Sequence, residues 1–158
     1  MLSKKQVIMM TTGREAIFLD HIHVTDTLSI TTYSLNIEGY KVTLGVGLND
    51  EEHDDGVNTI SGKVKVAICS PEDRYKEEVG VSLVMGRLIN SDTSDFDIAT
   101  SGKFGPEAVL TMSEVILESW IDDLAIALRK KNRLLELQKR QQHLIVKNLK
   151  HIMEDFTE

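Results

Sequence analysis

Apolar and polar positions change period along this chain, from two in the first half to between three and four in the second. Val42, Leu44, Val46 and Leu48 alternate with Lys41, Thr43, Gly45 and Gly47, and Val64, Val66 and Ile68 alternate with Lys63, Lys65 and Ala67. A period of two puts successive side chains on opposite faces of a strand. Val7–Thr11 and Ala16–Val24 read as strands around a turn at Gly13, and Leu28 and Ile30 with Ser29 and Thr31 as another. The polar run from Asn49 to Gly56 reads as a hairpin loop. These segments predict an antiparallel sheet with one polar face, thinned at Gly45 and Gly47 so that a backbone or ligand can approach.

The strand ending at Cys69 runs into Ser70-Pro71-Glu72-Asp73. Ser70 suits an N-cap, Pro71 tolerates the first helical position, and Glu72 and Asp73 set negative charge against the first-turn amides. A helix is therefore predicted from Ser70 through Glu78, Val79, Leu83, Val84, Arg87 and Leu88. From Asn90 to Gly105 the chain is polar and short in side chain, a connection held down by Phe96 and Phe104.

Pro106 opens a region with no further Pro or Gly, whose apolar positions follow a 4-3 alternation through Leu117, Ile121, Leu124, Leu128, Leu135, Ile145, Leu149, Ile152 and Phe156. Lys131, Gln138 and Gln142 interrupt that seam. The interruption predicts a break near Lys130–Arg133 and an antiparallel helical hairpin. Val115, Ile116, Ile126, Leu134 and Leu144 widen the apolar stripe beyond a two-stranded seam, which favours a homo-oligomer. The expected class is α+β: a β-rich region with its motif helix over 1–105, then a helical oligomerisation region over 106–158, in one continuous compact unit.

At 158 residues the chain can bury one domain's core. Its net charge of −7 opposes general affinity for nucleic acid or anionic membrane. The charge is uneven: Arg129 to Lys150 carries +7, leaving −14 on the remainder. The basic stretch is a solvated or subunit-facing helix surface, or an anion site. A single cysteine excludes an intrachain disulfide, and its place at a strand end makes it a small buried hydrophobe. No apolar run reaches the length of a membrane span, and the first residues lack a signal-peptide pattern, so a cytoplasmic location is expected.

Motifs for catalysis are missing: there is no nucleophile elbow, Walker loop, His-Glu-x-x-His or Cys-x-x-Cys. His21 and His23 share a face if their segment is a strand, but two histidines do not make a metal site. The acidic run at Asp50, Glu52 and Asp54 misses calcium-loop spacing by one residue at Gly56. Asp122 and Asp123 are adjacent and cannot act on one atom from a helix. The expectation is a protein that is not an enzyme and carries no metal or cofactor.

Candidate binding residues remain. Arg87 could form a phosphate or carboxylate fork, or else an ion pair with Glu78 or Asp92. Arg74 lies close by, Arg129 and Arg133 belong to the basic cluster, and Tyr75, Phe104 and Trp120 offer rings for a base. The pattern Cys69-Ser70-Pro71-Glu72-Asp73, then Tyr75, Gly80, Leu83 and Arg87, resembles a recurrent element of small phage and prophage proteins over roughly Lys63 to Ile89. The chain departs from that pattern at Tyr75-Lys76 and Val84.

The wider layout is similar to the Thoeris anti-defence proteins that sequester cyclic ADP-ribose signals. The resemblance implies a viral counter-defence protein in the host cytoplasm that holds a small cyclic nucleotide without cleaving it. The −14 body supports a different class, an acidic inhibitor that blocks the nucleic-acid channel of a host enzyme.

Overall fold

A computed structural model describes residues 6–10, 13–52, 56–91, 94–101 and 106–156. Phe104, Asp92 and Asp54, named above, lie outside them. The strands are β1 (Val7–Met9), β2 (Glu15–His23), β3 (Leu28–Ile37), β4 (Tyr40–Glu52), β5 (Val57–Cys69) and β6 (Phe96–Ser101), with helices α1 (Glu77–Ile89) and α2 (Pro106–Phe156). The class is α+β, as the change of period predicts. All six strands form one antiparallel sheet in sequence order.

The central hairpin sets the register. Ile37 pairs with Tyr40 across Glu38 and Gly39, both at positive φ (51° and 86°), a two-residue turn whose twist matches that of the strands. β4 and β5 remain paired out to Glu52↔Asn58, so Asn49 to Glu52 belong to a strand rather than to the expected loop. β6 pairs with β5 from Val57 to Gly62, placing a strand inside the connection expected to be irregular. Its Phe96 ring occupies the space a side chain at Gly62 would need.

The sheet has no polar face at its centre. Ser29 to Leu35 of β3 and Val42 to Leu48 of β4 are all buried, whichever way their side chains point. α1 covers the face bearing Ile30, Thr43, Gly45, Gly47 and Ala67, with Val84 (0% exposed) and Leu88 (2%) against the strands. Burial of each stabilises the layer by about 1.5–3 kcal/mol. On the opposite face Ser113 of α2 approaches Thr31, its Oγ 3.5 Å from Oγ1 of that residue. Alternation cannot report this arrangement, because Ser, Thr and Gly fill positions that a packed helix also covers.

Two expected helix boundaries move. α1 begins at Glu77 after an extended Lys76 that provides no side-chain cap, and Ser70-Pro71 belong to the preceding turn. α2 continues without a break through Lys130–Arg133 for 51 residues, so there is no helical hairpin. Isolated polar seam residues leave helical backbone bonding intact, and Lys, Gln and Arg are good helix formers. The chain divides into two compact units, Met1–Ile121 and Asp122–Glu158, so the first turns of α2 belong with the sheet. Among the described residues no helix is long and apolar enough to cross a membrane.

Candidate functional site

β5 ends where α1 has not yet begun, and the seven-residue gap between them, 70–76, shapes a cavity. Ser70 folds the turn on itself: its carbonyl accepts from the Asp73 amide at 3.0 Å and its hydroxyl from the Glu72 amide at 3.4 Å. The Cys69 thiol reaches back to the carbonyl of Asp73 at 3.7 Å. Arg74 to Lys76 then cross the sheet without regular secondary structure, Lys76 in an extended conformation. Tyr75 anchors the crossing, its phenol bonded to Ser34 Oγ at 3.2 Å and Thr43 Oγ1 at 3.1 Å. Three hydroxyls thereby satisfy one another on a partly buried face.

Gly80 completes the arrangement. A Cβ there would overlap the Thr43 hydroxyl, so only glycine brings the first turn of α1 down onto β4. The resulting cavity has a volume of about 310 Å³. Thr43, Ala67 and Tyr75 line it on the sheet side, Val79 and Leu83 on the α1 side, and Asp73, Arg74 and Lys76 along the crossing segment, with the end of β5 at Ile68 and Cys69 beside them. Ile68 (42% exposed), Val79 (52%) and Leu83 (47%) are apolar groups left in contact with solvent. A concave apolar surface with a few convergent polar groups is the general form of a small-ligand site.

The sequence-predicted binding residues separate. Arg74 and Tyr75 meet at this cavity, together with Cys69 and Leu83 of the motif. Arg87 does not line it: its guanidinium donates to the carbonyl of Val66, on the part of β5 beyond the β6 pairing. Trp120 is 41% exposed on α2 and is not part of the cavity lining. Arg129 and Arg133 belong to the second unit. Sequence reasoning missed Val79 as a lining residue, and set Lys76 with Arg74 in the first turn of the helix, whereas both precede it.

A second cluster lies on the opposite face. His21 Nδ1 and Thr31 Oγ1 are 2.8 Å apart, and the His21 and His23 rings meet edge to face with centroids 5.1 Å apart. Burial, reinforced by the neighbouring His23, lowers the His21 pKa against the opposing pull of Asp20. Tyr33, edge to face with Phe18 at 6.1 Å, has its pKa raised well above the usual phenol range by burial and then by Glu114, against a hydrogen bond from Ser113. Among the described residues no three His, Cys, Asp or Glu side chains gather as a metal site would need. Comparison with family models, curated proteins and solved structures returns no match to this chain.

Proposed function

We propose that the chain binds a small anionic ligand carrying a ring or other apolar body, at the cavity between the end of β5 and the start of α1, and holds it without chemical change. The observation that carries this reading is the meeting of Arg74 and Lys76 with the uncovered apolar side chains of Val79 and Leu83. A cation pair at the rim suits a phosphate or carboxylate, and the apolar wall with the Tyr75 ring suits a base or a similar flat group. Cyclic nucleotides of the cyclic ADP-ribose type fall in this class, as the phage-protein resemblance implies. Sequestration rather than turnover fits a sequence without a nucleophile elbow, Walker loop or metal-site motif, and the Cys69 thiol at the cavity is engaged in the turn.

The test is to heat-denature the protein purified from cells exposed to the signal and identify the released small molecules by mass spectrometry. An intact cyclic nucleotide in stoichiometric amount is expected. Its absence, together with no heat on titration of cyclic ADP-ribose or a simple nucleotide into the chain, removes the reading. Val79→Trp fills the cavity from an exposed position and should abolish the titration signal while leaving the melting temperature unchanged.

A further inference from the structure

The basic cluster of α2 follows a rule that the cavity does not use. Every residue from Arg133 to Glu154 is exposed, and nine of them are large and apolar. With the 4-3 seam lettered as a heptad, Leu135 and Leu149 fall at a, Ile145 and Ile152 at d, and Val146 and Met153 at e. The remaining apolar residues of this stretch, Leu134, Leu137 and Leu144, fall at g and c, so the apolar side spans an arc of about 200°. Arg133, Glu136, Arg140, Lys147, Lys150 and Glu154 all sit on the complementary arc, at b and f. Lys139 is the one charged side chain between Leu134 and Met153 that lies on the apolar arc.

We infer that residues 134–153 are a self-association surface through which more than two copies of this chain form a helical bundle. A strongly basic helix meets its own copy with little like-charge repulsion only if its charges keep away from the positions flanking the seam, and here all but Lys139, at e, do. The seam also sets the order. Leu at a with Ile at d favours four strands over two, and apolar residues at c, e and g give each helix a second neighbour to cover. Gln138 and Gln142 on the seam find hydrogen-bonding partners in equivalent side chains of other copies, and would find none in the hydrocarbon of a bilayer. That distinguishes a second copy from an anionic membrane, the other surface a basic amphipathic helix fits.

Sedimentation equilibrium of the full chain at micromolar concentration tests this. A mass at least three times 17.7 kDa is expected. Ile145→Lys with Leu149→Lys, both at positions exposed in the single chain, should return it to 17.7 kDa with the sheet's thermal transition retained. Arg140→Glu with Lys147→Glu should leave the assembly unchanged. A wild-type mass of one or two chains overturns the inference, as does dissociation by the charge reversals. Binding of single chains to phosphatidylglycerol vesicles would also overturn it, in favour of a membrane surface.

Discussion

The phenol of Tyr75 lies 3.1 Å from the Thr43 hydroxyl, and it is this hydroxyl that a side chain at residue 80 would strike. One atom of β4 thus fixes both the crossing segment and the first turn of α1, and the cavity exists because both are held. Tyr75→Phe leaves the Ser34 and Thr43 hydroxyls without this partner on a partly buried face. The expected loss is about 1–3 kcal/mol of stability, read as a lower urea midpoint with unchanged slope. Because the ring stays, ligand affinity should fall less than it does in Arg74→Ala, and a larger fall would show that the phenol itself contacts the ligand.

Gly45 and Gly80 are the two points where α1 touches backbone. A Cβ at Gly45 would overlap Val84 and one at Gly80 would overlap Thr43. Alanine at either position should destabilise the protein by about 1–3 kcal/mol through overpacking. Gly86, on the same helix, has open space around it. Gly86→Ala should therefore be neutral or stabilising by up to about 1 kcal/mol, since alanine is the better helix former. Equal effects at residues 80 and 86 would mean that α1 does not rest on Thr43.

Arg87 was the strongest anion candidate on sequence, and its bond to the Val66 carbonyl gives it a different task at the edge of β5. β6 stops pairing at Gly62, and the edge beyond it is met by Arg87 and by the Asp95 carboxylate, which accepts from the Val64 amide at 2.7 Å. Arg87→Ala should lower the melting temperature by a few degrees, corresponding to ~1 kcal/mol for an exposed charged donor. Ligand affinity at the cavity should not change. Loss of binding with an unchanged melting temperature would restore Arg87 as an anion fork.

The antiparallel sheet was legible because Val42 to Leu48 and Val64 to Ile68 carry a clean period of two, and the helical character of the last third, though not its continuity, because no Gly or Pro interrupts it. The start of α1 was not. Ser70-Pro71-Glu72 is a sound local N-terminus, but Tyr75 must reach Ser34 and Thr43, and that tertiary demand keeps Arg74 to Lys76 out of the helix. β3 was read too short because Thr31, Thr32 and Ser34 are polar, while in the fold they are buried and face hydroxyl or helix partners. Its hairpin was hidden as well, since Glu38 occupies a left-handed position more usual for Asn or Asp. Half of the candidate site followed from residue type, in Arg74 and Tyr75. The apolar wall depends on which residues of α1 are left uncovered beside the crossing segment, Val79 and Leu83, and periodicity carries no record of that.

Stability should fall on the acid side through His21. Burial first, then His23, hold its folded pKa below the ordinary 6.5, with Asp20 acting in the opposite direction. Below that value the unfolded chain takes up a proton that the folded chain resists, so the unfolded state binds more protons and stability declines as pH falls. The contribution is fully present above 6.5 and is lost progressively through the lowered folded value. The Thr31 hydroxyl beside Nδ1 can donate to a neutral ring nitrogen but must turn to accept from a protonated one. His21→Gln keeps a polar side chain without the titration and should flatten the melting temperature between pH 7 and 5 relative to wild type. A slope that persists unchanged in His21→Gln over this window would show that His21 does not set it.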